Sequence, residues 1–130
     1  MSLALLDTSI LIGAGDRHDE LPPTAAISVV TLGELHAGVL RSRDADLKAA
    51  RSKRLAAFRK AFLALHVDED VAEHYGRALA RARDEGRTEK PLDLLIVATA
   101  SATERELHTR DERQAKLARR LGLVVHGPGE

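Results

Sequence analysis

Cysteine is absent from the 130-residue chain, which excludes disulfides and thiolate metal sites and leaves the cytoplasm as the default compartment. Tryptophan is absent too, and the only aromatics are Phe58, Phe62 and Tyr75. Phe58 and Phe62 stand four residues apart beside Leu55 and Leu65, a helical spacing that marks core or partner contacts rather than base-stacking platforms. No apolar run approaches the roughly 20 residues of a membrane span, and the N-terminus has no basic region ahead of its apolar stretch. Neither a membrane span nor a signal peptide is expected. Lys plus Arg and Asp plus Glu are both 20, so net charge exerts no overall pull on a polyanion. The six histidines, His18, His36, His66, His74, His108 and His126, show no H-x-x-x-H or H-E-x-x-H spacing, and zinc is not expected. There is no P-loop and no G-x-S-x-G elbow, which removes the common nucleotide-binding and serine-hydrolase readings.

What remains is the composition of a globular protein, 44% hydrophobic and 31% charged, and its length suits a single domain over residues 1–130. Short apolar runs bounded by breakers predict strands at 3–6, 26–29, 65–67, 106–108 and 123–125. Helical patterns lie between them, at Thr8 to Ala14, Thr31 to Ser42, Ala45 to Ala64, Asp70 to Glu85, Leu92 to Arg105 and Glu112 to Leu121. Strands alternating with helices predict an α/β fold, a central parallel sheet of about five strands with helices on both faces. The segment LLIVATASA (94–102) is apolar or small on every side and should be a helix buried against that sheet.

Charge is locally uneven. Between Arg41 and Lys60, eight cations including Arg51, Lys53 and Arg54 face only Asp44 and Asp46. The stretch is a candidate nucleic-acid face, or else the solvated side of an amphipathic helix. Arg87 and Lys90, just before Asp93, are further candidate phosphate contacts.

The opening segment SLALLDTSIL ends an apolar strand on Asp7, at the strand-to-helix junction where a phosphate-binding loop would place glycine. A carboxylate repels phosphate unless a cation stands between them, so Asp7 either caps a helix or belongs to a metal site. Three other acids pose the same choice. Thr31 and Glu34 fit the T-x-x-E capping box, Asp93 falls in a helix's first turn after Pro91, and Asp111 precedes a helix with Gln114 three residues on. In an open parallel sheet, however, strand C-termini share one edge, and ligands bind in the crevice there. Four carboxylates gathered at that edge repel one another unless cations neutralise them, and hard oxygen donors without His or Cys suit Mg²⁺ or Mn²⁺.

The pieces LLDTSILI (5–12), ISVVTLGELHAGV (27–39), DLLIVATA (93–100), HTRD (108–111) and LGLVVHGP (121–128), in this order over nearly the whole chain, resemble the PIN-domain ribonucleases, specifically the VapC-type toxins of toxin–antitoxin pairs. The resemblance implies a PIN-like fold and an acidic cluster at Asp7, Glu34, Asp93 and Asp111, with Thr8 and Thr109 in support. It implies Mg²⁺- or Mn²⁺-dependent hydrolysis of RNA, a cognate antitoxin that lays a segment over the active site, and a homodimer. Asp7 and Asp93 are the expected direct metal ligands, and Glu34 and Asp111 the expected holders of a second ion or of metal-bound water. One departure concerns the last acid. Family members often carry an aromatic shortly after it, where this chain reads DERQA, so Glu112 stands beside Asp111 as an alternative for the fourth position.

With so few aromatics, RNA recognition is expected to rest on phosphate contacts and on the shape of a structured RNA. The rival reading is a catalytically idle PIN-like module that binds RNA or protein. Receiver and haloacid-dehalogenase domains share the acid after the first strand, but the latter require a second acid at position 9, which is Ser9, and the former require adjacent acids that are missing.

Overall fold

The structure, a computed structural model, describes residues 3–129. Five strands, β1 (Ala4–Leu6), β2 (Ala26–Ser28), β3 (Leu63–Leu65), β4 (Glu106–His108) and β5 (Val125–His126), form one parallel sheet in the order β3-β2-β1-β4-β5. Six helices connect them: α1 (Thr8–Ala14), α2 (Val29–Leu40), α3 (Ala45–Ala61), α4 (Glu69–Asp84), α5 (Pro91–Ala102) and α6 (Glu112–Arg120). A 3-10 turn at His18–Glu20 interrupts the loop after α1.

Because successive side chains of a strand point to opposite faces, β1 feeds two cores. Leu5 joins Leu94, Ile96, Val97, Leu107, Leu117 and Val125 under α4, α5 and α6, whereas Ala4 and Leu6 join Leu11, Ile27, Phe58 and Phe62 under α1 and α3. The sheet is therefore covered on both faces, as its parallel connections require. Leu5, Leu6, Leu94 and Leu107 are fully buried, each worth on the order of 2 kcal/mol in transfer free energy. Both phenylalanines are core residues, 2% and 5% exposed, and so unavailable for base stacking.

Element types match the sequence reading, but several boundaries differ for local reasons. Helix α2 begins at Val29, two residues early, because Ser28 at the end of β2 accepts a hydrogen bond from the Val30 N–H (3.0 Å). Strand β3 falls at 63–65 rather than 65–67, since the chain becomes extended at Phe62 and Ala26 pairs with Leu63. Strand β5 is displaced to 125–126 because Gly122 (φ 83°) turns the chain left-handed after α6 while the Leu123 N–H closes on the Ala118 carbonyl. Among the described residues, no helix is long and apolar enough to cross a membrane.

Candidate active site

Strand β1 sits centrally, with β2 on one side and β4 on the other. The chain leaves β1 toward β2 and β3, then returns through α5 to β4, so the connections diverge between the C-termini of β1 and β4. That divergence opens the crevice in which parallel sheets bind ligands. Asp7 directly follows β1, Thr109 directly follows β4, and Asp111 stands at the start of α6. Glu34 lies in α2, which follows β2, and Asp93 lies in the first turn of α5.

Local hydrogen bonds decide between capping and site chemistry acid by acid. Asp7 holds the N-cap position of α1 but makes no capping bond. Its buried carboxylate instead accepts on Oδ2 from the hydroxyls of Ser9 (2.7 Å) and Thr109 (2.8 Å). The capping-box reading of Glu34 fails because α2 is already capped at Ser28, which places Thr31 and Glu34 inside the helix. Thr31 is buried, and Glu34 Oε1 accepts from Thr8 Oγ1 at 2.6 Å. The capping reading of Asp111 holds: its Oδ1 accepts from the Gln114 N–H at 3.0 Å. Its own N–H donates to Thr109 Oγ1 (3.0 Å), so one threonine hydroxyl links Asp7 to Asp111. Glu112 lies exposed in the first turn of α6.

Asp93 feels the other three acids. Burial first, then the charge of Asp111, hold its carboxyl above the usual value, with further pushes from Asp7 and Glu34. Lys90, which pulls the other way, does not outweigh them. All three other acids thus act on Asp93 across one crevice.

Among the described residues, no three His, Cys, Asp or Glu side chains form a ready-made cage for an ion. Mg²⁺ needs no such cage, since it keeps several waters and binds through one or two carboxylates. The donor chemistry fits that mode. Both hydroxyl bonds to Asp7 fall on Oδ2, leaving Oδ1 to take a positive partner, and a cation would relieve the repulsion that Asp93 carries.

The basic candidates divide. Arg51 donates to the Gly38 carbonyl (2.8 Å) and Ser42 Oγ (3.1 Å), tying α3 to α2, and Arg54 pairs with Asp16 at 2.9 Å. Arg87 pairs with Glu85 (2.8 Å) and Glu89 (2.9 Å). Lys53 lies exposed on α3, and Lys90 stands at the N-cap of α5, beside the acids. Sequence reasoning missed two residues. Ser9 holds Asp7, and its signal was a hydroxyl two residues after the acid, a spacing at which Ser bonds locally. Gln114 is buried and donates from Nε2 to the Asp93 carbonyl (3.2 Å), bridging α6 to α5 with no local pattern to announce it.

Residues 4–120 match the family described as PIN domain. The chain is 34% identical over 117 residues to Ribonuclease VapC5 of Mycobacterium tuberculosis, covering 87% of this chain and 86% of that protein. It is 38% identical over 104 residues to Ribonuclease VapC8 of the same species, covering 77% and 92%. The fold is similar to that of the crystal structure of VapBC-5 from Mycobacterium tuberculosis, a member of the VapBC family of toxin–antitoxin systems, with a TM-score of 0.79, 31% identity and 98% of each chain covered. With the family match over residues 4–120, the identity to two ribonucleases and the similar fold of a solved relative, the chain belongs to the PIN-domain family, in its VapC branch.

Proposed function

We propose that this protein is a Mg²⁺- or Mn²⁺-dependent endoribonuclease, the toxin of a toxin–antitoxin pair, working in the cytoplasm as a homodimer. The observation that carries the proposal is the diversion of Asp7 from its capping position to a pair of hydroxyls, in a crevice where Asp111, Glu34 and Asp7 itself all act on Asp93. The relatives named ribonuclease support the reaction class, and the VapBC structure supports the antitoxin.

Asp7 and Asp93 would hold the cation, with Glu34 and Asp111 orienting water or a second ion. When bound, the cation supplies the positive charge that lowers the pKa of an attacking water and neutralises the scissile phosphate. The chain's own groups supply position. Ser9 and Thr109 fix Asp7, Thr8 fixes Glu34, and Thr109 joins Asp7 to the main chain of Asp111. Asp111 serves in preference to Glu112, because its charge acts on Asp93. Lys90 attracts the phosphate from the rim.

The antitoxin would occupy the apolar groove of about 220 Å³ between α1, α2 and α3, lined by Leu11, Leu35, Leu55 and Phe58. Glu34 lines the same groove, so a segment lying there reaches the acids and obstructs them. The test is to incubate the purified chain with a structured RNA in Mg²⁺, in Mn²⁺ and in EDTA. Cleavage with either ion and none in EDTA is expected. Binding without cleavage under all three conditions would favour the idle module.

A further inference from the structure

A bound cation offsets only part of the charge of four carboxylates and meets only the scissile phosphate, so the rest of the strand is held by cations nearby. Arg51, Arg54 and Arg87 already carry internal partners. Arg110 does not: among the described residues no carboxylate pairs with it, although it stands between Thr109 and Asp111 in the chain.

Its placement is specified at both ends. The Arg110 N–H donates to Ser9 Oγ (2.9 Å), the same hydroxyl that donates to Asp7, so main chain and catalytic acid share one anchor. The side chain lies across α1 at Gly13. A Cβ at position 13 would stand 3.0 Å from Arg110 Cδ and closer still to Nη1, so the guanidinium lies where residue 13 has no side chain and would have to shift if one were added. Here α1 presents a shallow depression of about 250 Å³ lined by Ile10, Gly13, Arg17, Glu20, Leu21 and Arg110, its one carboxylate lying beside Arg17. Arg17 donates to the Gly13 carbonyl (3.3 Å) and lies 3.8 Å from Glu20, which leaves Arg110 as the less neutralised cation. The apolar groove with Glu34 occupies the other side of the same helix.

We propose that Arg110, seated on Gly13, is an RNA phosphate contact that leads the strand away from the acids over the Ile10–Gly13–Arg17 side of α1, opposite the apolar groove. The proposal rests on the ribonuclease reading. A guanidinium presents two parallel N–H donors to a phosphate, which suits a positioning contact that reads no base. A single such contact on a single strand contributes a salt slope of about −0.7, or roughly fourfold in Kd near 0.15 M salt.

The test measures binding of a fluorescent stem-loop oligoribonucleotide to the Asp7→Asn chain in Mg²⁺ across a salt series. Adding Arg110→Ala should raise Kd about fourfold and flatten the slope by about 0.7, and Arg110→Lys should restore most of the slope. Adding Gly13→Ala should weaken RNA binding similarly while the protein melts at or above its parent, since alanine favours the helix but displaces the guanidinium. Arg54→Ala, which removes an already paired cation, should change neither Kd nor slope. Unchanged binding in Arg110→Ala overturns the contact, and unchanged binding in Gly13→Ala overturns its seat on α1. If the Asp7→Asn chain shows no salt-dependent RNA binding at all, the ribonuclease reading fails and takes this contact with it.

Discussion

Thr8 Oγ1 donates to Glu34 Oε1 across 2.6 Å, joining the first residue of α1 to the second turn of α2. Glu34 is thus held from another helix instead of capping its own. Glu34→Gln keeps an oxygen for Thr8 but removes the charge. The metal-free variant should therefore melt at or above the wild type, because one of several crowded carboxylates is gone. Added Mn²⁺ should raise its melting temperature less than that of the wild type, because ligand stabilisation grows with concentration over Kd. Paired melting curves with and without Mn²⁺ check both expectations.

Asp93 yields a pH dependence with a definite sign. Its folded-state pKa is raised above the ordinary 3.8, so the native state favours the protonated carboxyl. The stability this contributes is fully present below the unfolded pKa and is lost as pH rises through the folded value. In EDTA, Asp93→Asn should accordingly melt above the wild type at neutral pH. The advantage should shrink as the buffer is made acidic and disappear below about pH 4. Thermal melts across that range would show it, and an advantage that grows in acid would reverse the assignment.

At Asp111, capping and catalysis separate by substitution. Asparagine caps as well as aspartate does, so Asp111→Asn should keep wild-type stability and cut RNA more slowly. Asp111→Ala also loses the bond to the Gln114 N–H and should cost about 1 kcal/mol in denaturant titration.

The parts of the fold that could be read in advance are those specified locally. Asp7, Asp93 and Asp111 adjoin strand or helix ends that short apolar runs and Pro91 mark plainly, and the all-apolar α5 could only be buried. Glu34 reads equally as a cap and as a site acid in the sequence, and the structure removes the capping alternative because Ser28, written into the preceding strand, starts the helix first. The fate of the basic stripe was not legible at all. Arg51 finds Gly38 and Arg54 finds Asp16, partners 13 and 38 residues away that only tertiary packing brings near.

Those partners have a consequence for the stripe on α3. Arg51→Ala removes two hydrogen bonds between α3 and the end of α2 and should lower stability by about 1 kcal/mol, leaving RNA affinity near the wild-type value. Denaturant titration and RNA binding measured on the same preparation separate the two effects.

Cleavage of a structured RNA in Mn²⁺ by the wild type, Asp7→Asn and Asp93→Asn, each first shown to be folded by its melting transition, tests the acid cluster most directly. Both asparagine variants retain the shape and most hydrogen bonds of the residues they replace, so only the charges that would hold the cation are lost. Cleavage should be abolished in each. Cutting by either variant at the wild-type rate would contradict the assignment of these carboxylates to a metal-dependent ribonuclease site.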